Sequence, residues 1–210
     1  MPVRECIIAG WTGRDRAAVE EHIAELEAIG VKRPATTPIF YRVAAARLTT
    51  DEVIEVVGEA SSGEAEFVLL QSGGELWVGA GSDHTDRAFE VHGITASKQM
   101  CDKPVASELW SFADVADHWN RLMLRAFTID GDRRVLYQEG PVTAMLDPRD
   151  LLGRYTGGKD LPEGAIMFGG TLPTHGGIRA AERFGFELED PVSGRAIRSG
   201  YFIKTLPIAG

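Results

Sequence analysis

Cysteine is scarce: Cys6 and Cys101 are the only two among 210 residues. That is too few for a disulfide framework and reads as two reduced thiols in a cytoplasmic protein, although spacing alone leaves a single bridge open. No apolar run approaches the length needed to cross a bilayer. The opening "MPVRECIIAG" lacks the extended apolar core of a signal peptide. Basic residues are outnumbered, 22 Lys and Arg against 31 Asp and Glu, for a net charge of −9. That balance argues against nucleic acid or an anionic membrane as partner. Repeats, low-complexity tracts and linkers are missing, as is the strand–helix alternation of a parallel doubly wound sheet.

Glycine is what the chain has in excess, 24 residues, set in turn-like places such as "QSGGE", "IDGD", "YTGGK" and "FGGT". Short strands joined by tight connections use glycine in this way. "EFVLLQSGGELWVGAGSD" and "LMLRAFTIDGDRRVLYQEG" read as hairpins, and "GFELEDPVSGRAIRSGYFIKTL" as a closing antiparallel pair. "IFYRVAAARL" reads as extended. One helix stands out: Asp15 as N-cap, then Val19, Ile23, Leu26 and Ile29 at three- and four-residue steps, with Gly30 as C-cap. "DPRDLLGRYT" predicts a shorter one. The fold class is α+β and β-rich, one domain over residues 1–210 with a few short helices.

Glu64 and Glu66 stand two apart at the head of the apolar strand "EAEFVLL", so both carboxylates share one face. Asp83 follows the return strand of the same hairpin. Three converging carboxylates supply hard oxygen ligands for Mg²⁺, Mn²⁺ or Ca²⁺ rather than zinc. The plainer alternative is a solvated strand face and a turn aspartate. His22 and Glu25 form H-x-x-E on one helical face, where the carboxylate can orient the imidazole toward water; an exposed histidine beside an acid is the other reading. Lys98, in "ITASKQMCDKPVASELW", can meet a carboxylate or an enolate, or simply be solvated. "FGGTLPTHGG" offers amides and hydroxyls as an anion cradle or a plain turn, and its spacing is no Walker or dinucleotide motif. His84, His92, His118 and His175 make no metal-type spacing, and Cys101 has no histidine partner at a recognisable spacing.

Taken in order, these segments resemble the fumarylacetoacetate hydrolase superfamily. "GRDRAAVEEHIAEL" resembles its Gly-Arg turn and H-x-x-E lid helix, and "RPATTPIFYRV" its Pro-to-Phe run. "EAEFVLL" resembles its E-x-E, and "SDHTDR" its D-x-[ST]-x-R turn, giving Asp83, Thr85 and Arg87. "IDGDRRVLYQEG" and "LPEGAIMFGGTLP" resemble its later hairpin and its G-D-x-I-x-T-G-T-P segment. The sequence departs from the family pattern at Arg42, where lysine is usual, and at Ala88 and Ala165, where aspartate is usual.

The resemblance implies a mixed β-sandwich or roll, residues 12–30 as a lid helix, and a homodimer. It implies Mg²⁺, or Mn²⁺ (Ca²⁺ in crystals), on Glu64, Glu66 and Asp83, with a small organic acid as substrate. His22, Glu25 and Lys98 become catalytic candidates; Arg42, Arg87, Gly170 and Thr171 become substrate-binding ones. The leading expectation is a hydrolase of C–C bonds in acylpyruvate-like 2-oxo or 1,3-dicarbonyl acids. The alternatives are a 2-oxo acid hydratase, dehydratase or decarboxylase on the same metal, and a non-catalytic small-acid-binding protein.

Overall fold

The structure, a computed structural model, describes residues 2–28 and 33–209, without the side chains of residues 22, 25 and 26. Strands are numbered in chain order. β6 (Ala65–Ser72) and β7 (Glu75–Ser82) form the first expected hairpin, closed by the pair Ser72–Glu75. Gly73 and Gly74 take φ of 67° and 76°, the mirror-image turn that suits strand twist and that other residues resist. Glu163 accepts hydrogen bonds from both turn amides, at 2.6 and 3.3 Å.

A six-stranded sheet runs in the order β10 (Trp110–Ser111), β7, β6, β13 (Ala165–Thr171), β1 (Glu5–Gly10), β2 (Ile39–Val43). A five-stranded sheet runs β12 (Arg133–Pro141), β11 (Met123–Asp130), β14 (Arg183–Asp190), β15 (Arg195–Leu206), β4 (Val53–Val57). Two short pairs join β3 (Leu48–Thr49) to β9 (Lys103–Pro104) and β5 (Ser61–Ser62) to β8 (Thr85–Asp86). Both large sheets are mixed: β1–β13 and β15–β4 are parallel, their other pairings antiparallel.

Strand alternation sorts the residues into two layers. Ile7, Phe67, Leu69 and Met167 point toward the five-stranded sheet and pack with its Leu124, Tyr137, Phe184 and Tyr201 in the main core. Cys6, Ile8, Tyr41, Val68 and Phe168 point the other way and form a second cluster with Leu48, Ile94 and Val105. Both cysteines are buried and free, so the bridge left open by the sequence does not form. Glu66 precedes Phe67 and so belongs to the outer face, beneath the short strand pairs.

Helix α1 (Arg16–Ala28) starts as its sequence directs, with Asp15 Oδ1 accepting from the amides of Ala17 and Ala18 at 2.9 and 3.2 Å. Gly30, the expected C-cap, lies outside the described residues. α2 (Ile94–Met100) and α3 (Phe112–Val115) are short. α4 (Pro148–Thr156) carries Asp147 as N-cap, Pro148 in its first turn and a left-handed Gly157 after its end. One expectation needs correction. "IFYRVAAARL" is extended only to Val43; a 3₁₀ turn follows at Ala45–Arg47, where alanines lack the β-branched chains that favour a strand. "ITASKQM", to which the sequence assigns no element, forms α2 and is too brief for its periodicity to show.

Asp190 closes the β14–β15 hairpin. It is buried and accepts from the Val192 amide at 3.0 Å, the Ser193 hydroxyl at 2.6 Å and His118 Nε2 at 3.0 Å. Burial alone would raise its pKa, but the Ser193 and His118 hydrogen bonds hold it at about 2. A carboxylate held below its unfolded value contributes fully above roughly pH 4 and loses that contribution as pH falls through the folded value. Asp190→Ala is therefore expected to cost about 1–3 kcal/mol at neutral pH. Urea unfolding across pH should show that difference shrinking as the pH drops from about 4 to 2; a constant penalty would contradict the assignment.

Candidate metal centre

Hairpin register assembles the acids. Glu66 pairs with Gly81 and Ala65 with Ser82, and the Asp83 amide donates to the Glu64 carbonyl at 2.9 Å. That extra bond sets Asp83 beside Glu64, and alternation returns Glu66 to the same face. Glu64, Glu66 and Asp83 each offer one oxygen within 4.8 Å of the other two. Glu66 and Asp83 are buried, 2% and 0% exposed. Like charges crowded away from water repel strongly, so the surroundings must compensate.

Three cations do part of this. Lys98, from α2, bonds Asp83 and lies 3.8 Å from Glu64 Oε2. Lys103, from β9, is fully buried with Nζ 3.1 Å from Asp83 Oδ1, and also donates to the His84 carbonyl. Arg87 Nη2 is 3.1 Å from Glu64 Oε1, its Nη1 3.2 Å from Glu90, and its Nε donates to Ser62 Oγ at 2.7 Å. Burial alone would raise the Asp83 pKa, but Lys98 and Lys103 bring it down to about 2. Burial alone would lower the Lys98 pKa, yet Asp83 and Glu64 push it up, keeping the ammonium charged.

Glu66 is different. Among the described residues it has no cation partner; its Oε2 accepts the Gly170 amide at 2.6 Å. Burial, reinforced by Asp83 and Glu64, pushes its pKa well up. Four carboxylates, Glu64, Glu66, Asp83 and Glu90, thus face three cations, and among the described residues none of these is within ion-pairing distance of Glu66, which feels Lys98 only from farther off. An all-oxygen set with one buried carboxyl lacking an ion pair fits a divalent cation of the Mg²⁺ or Mn²⁺ kind.

The five-stranded sheet holds both strand ends. Gln138, on β12, accepts from the Ala65 amide at 2.9 Å and donates to Thr171 Oγ1 at 2.8 Å. Tyr201, on β15, hydrogen-bonds Ser82 Oγ and His84 Nδ1, both at 2.8 Å, while His84 Nε2 meets Ser61 Oγ at 2.9 Å. Burial, with Lys103 and Arg87 nearby, lowers the His84 pKa to about 3, so this ring stays neutral and both its nitrogens are engaged.

Glu64, Glu66, Asp83, Lys98 and Arg87 come together as expected, with Arg87 gripping Glu64. Arg42 does not join them. Its neighbour Tyr41 faces Lys98, with Nζ 5.8 Å from the ring centroid, so alternation turns Arg42 away. It meets Glu5 at 3.4 Å and the Tyr155 hydroxyl at 3.1 Å. The anion cradle expected of Gly170 and Thr171 is filled from within. The Gly170 amide serves Glu66, and Thr171 Oγ1 donates to the Ala65 carbonyl at 2.8 Å. Gly170 is required there: φ is 98°, and a Cβ would stand 1.8 Å from Thr12 Oγ1. The side chains of His22 and Glu25 lie outside the described residues. Lys103, Glu90 and Tyr41 escaped sequence reading; for Lys103 the one signal is a lone basic residue inside "CDKPV".

The fold has known counterparts. Yeast ynq8, described as a fumarylacetoacetate hydrolase family protein, superposes with a TM-score of 0.70 at 16% identity, over 99% of this chain and 96% of that one. 2-Keto-3-deoxy-D-arabinonate dehydratase, solved with magnesium and 2,5-dioxopentanoate, gives 0.72 at 14% identity, over 99% of this chain and 75% of that one. Cg1458 gives 0.69 at 14%, over 98% and 77%. The fold is the fumarylacetoacetate hydrolase fold that the motifs imply. A family model described as "Protein of unknown function (DUF2848)" matches residues 9–201, and the chain belongs to that family. No curated protein matches its sequence significantly.

Removing one partner from a buried ion pair leaves a charge uncompensated, at a cost of about 3–5 kcal/mol. Because Asp83 also holds Lys98, Lys103→Met is expected at the low end, about 3 kcal/mol by urea unfolding. A loss under about 1 kcal/mol would show that the Lys103 ammonium is not part of the buried compensation.

Proposed function

We propose that this protein is a Mg²⁺- or Mn²⁺-dependent enzyme acting on small 2-oxo acids, with hydrolysis of a C–C bond in acylpyruvate-like or 1,3-dicarbonyl acids as the leading reaction. The supporting observation is Glu66, a buried carboxylate with no ion pair among the described residues, set within 4.8 Å of Glu64 and Asp83. The magnesium in the dehydratase of the same fold supports the choice of ion. Glu64, Glu66 and Asp83 would hold the ion, which would supply Lewis acidity toward the oxo group of a 2-oxo acid. Lys98, charged and held between Asp83 and Glu64, adds a fixed positive field where negative charge develops on that group. Lys103 keeps Asp83 ionised, and Arg87 holds the Glu64 carboxylate in orientation as a ligand. Tyr41 closes the side next to Lys98.

Hydrolysis needs water activated as well, and the candidate is His22 with Glu25 on α1, the proposed lid. A second reading is a lyase on the same cluster. It is favoured by the composition of the described site: Lys98, Lys103 and Arg87 are charged, and the neutral His84 is engaged at both nitrogens. Such a site can stabilise an enolate without supplying a base to water. The proposal carries with it a homodimer, as the resemblance implies, and a cytoplasmic location, as the scarce cysteines suggest; among the described residues no helix is long and apolar enough to cross a membrane.

Calorimetric titration with Mg²⁺ or Mn²⁺ tests the ion directly. One ion per chain is expected, with affinity lost by at least about a hundredfold, roughly 2.7 kcal/mol, in Glu66→Gln. Equal binding by that variant, or turnover undiminished in excess EDTA, would contradict the proposal. Once an acylpyruvate or other 2-oxo acid substrate turns over, His22→Ala separates the readings: lost turnover marks hydrolysis, retained turnover the lyase.

A further inference from the structure

We infer that Glu90 determines specificity: it stands at the mouth of the carboxylate cluster and restricts the substrate to 2-oxo acids whose far end carries no second carboxylate. This rests on the proposed reading of the cluster as the site of a dication and a 2-oxo acid. Exposure locates the mouth. Side chains at the cluster run from Asp83 and Lys103 at 0% exposed, through Lys98 at 8% and Glu64 at 17%, to Glu90 at 27%. Among the described residues of the cluster, solvent therefore reaches it from the side of Glu64 and Glu90. An acid bound to an ion on Glu64, Glu66 and Asp83 would extend outward past Glu90.

One guanidinium ties Glu90 to the cluster. Arg87 lies 3.1 Å from Glu64 through Nη2 and 3.2 Å from Glu90 through Nη1, so Glu90 stands a guanidinium's width from a proposed metal ligand. Its carboxyl also feels the charges of Glu64, Lys98 and Asp83. The mount is firm. Arg87 donates through Nε to Ser62 Oγ at 2.7 Å and through its amide to the Ala60 carbonyl at 2.9 Å. Asp86 Oδ1 accepts the Phe89 amide at 2.9 Å, and the Gly93 amide donates to the Glu90 carbonyl at 3.1 Å. The turn that carries Glu90 is thus fixed before and after it.

A second carboxylate on the substrate would need a cation at this mouth. Arg87 is the cation nearest to it, and each of its three nitrogens already faces a protein oxygen, on Ser62, Glu64 or Glu90. Lys98 is held by Asp83, and Arg42 is turned away toward Glu5. A guanidinium whose edges are taken has no fork left for another carboxylate. The incoming group meets the charge of Glu90 instead, and like charges brought together in a partly desolvated site repel. Phe89 and Val91, on either side of Glu90 in the chain, are exposed and apolar; they supply no positive charge and tolerate an uncharged end. Glu90 is therefore repulsive toward one class of acid and indifferent to the other, which is enough to sort them. Within the acylpyruvate-like acids of the leading reaction, it selects those with an uncharged acyl end.

The test is calorimetric binding at pH 8 in saturating Mg²⁺ of matched pairs: 2-oxopentanoate against 2-oxoglutarate, and 2-oxohexanoate against 2-oxoadipate. Oxalate, too short to reach past the ion, is the reference ligand for the unaltered protein. There the monocarboxylate of at least one pair should bind about tenfold or more tighter than its dicarboxylate. Glu90→Gln keeps the size of the side chain and removes its charge, while every other charge of the chain stays the same. In that variant the preference should fall to within about twofold, through tighter binding of the dicarboxylate. With oxalate bound, dicarboxylates that match or exceed their partners in both pairs, or a preference that survives in Glu90→Gln, would overturn the role of Glu90 and leave the metal reading intact. Failure of oxalate to bind the unaltered protein would overturn the metal reading and the role of Glu90 with it.

Discussion

Repulsion among Glu64, Glu66 and Asp83 is the constraint around which the rest of the molecule is arranged. Carboxylates forced together away from water raise one another's pKa unless positive charge or hydrogen bonds stabilise the ionised forms. Lys98 and Lys103 do so for Asp83, Arg87 pairs with Glu64, and Glu66 has one backbone amide as its hydrogen-bond partner. The asymmetry matters. Compensating every carboxylate with lysine or arginine would give an inert buried ion network, whereas the shortfall at one carboxylate is what the proposed dication would make good.

Such a cluster also needs a rigid mount, because ligand oxygens displaced by an ångström no longer converge. The acids sit at the open ends of β6 and β7, where a lone hairpin would fray. Side chains from the opposite sheet hold these ends in place. Gln138 grips the backbone between Glu64 and Glu66, and Tyr201 grips Ser82 and His84 on either side of Asp83. The two-layer packing thus delivers the site geometry as well as the core, and polar groups at its edge are hydrogen-bonded rather than left buried and bare.

Legibility in the sequence followed the range of the interaction. The β6–β7 hairpin, α1 with its Asp15 cap and α4 with Asp147 were readable because period, turn glycines and caps act over a few residues. Glu64, Glu66 and Asp83 were readable for the same reason, one hairpin carrying all three. Arg42 was misread because strand parity is set by which neighbour is buried, and Tyr41 took the inward side. Gly170 and Thr171 looked like a cradle for a foreign anion; their partners, Glu66 and Ala65, lie more than a hundred residues earlier. Lys103 was invisible because its burial depends on the short β3–β9 pairing and on Asp83, none of which leaves a periodic trace.

The account stands on a dication occupying the space among these three side chains. Anomalous diffraction from crystals grown with Mn²⁺ locates such an ion without reference to any substrate or activity. A single strong peak bounded by oxygens of Glu64, Glu66 and Asp83 is the predicted result. A density map with no peak there, leaving Lys98, Lys103 and Arg87 as the only positive charges at the carboxylates, would contradict it.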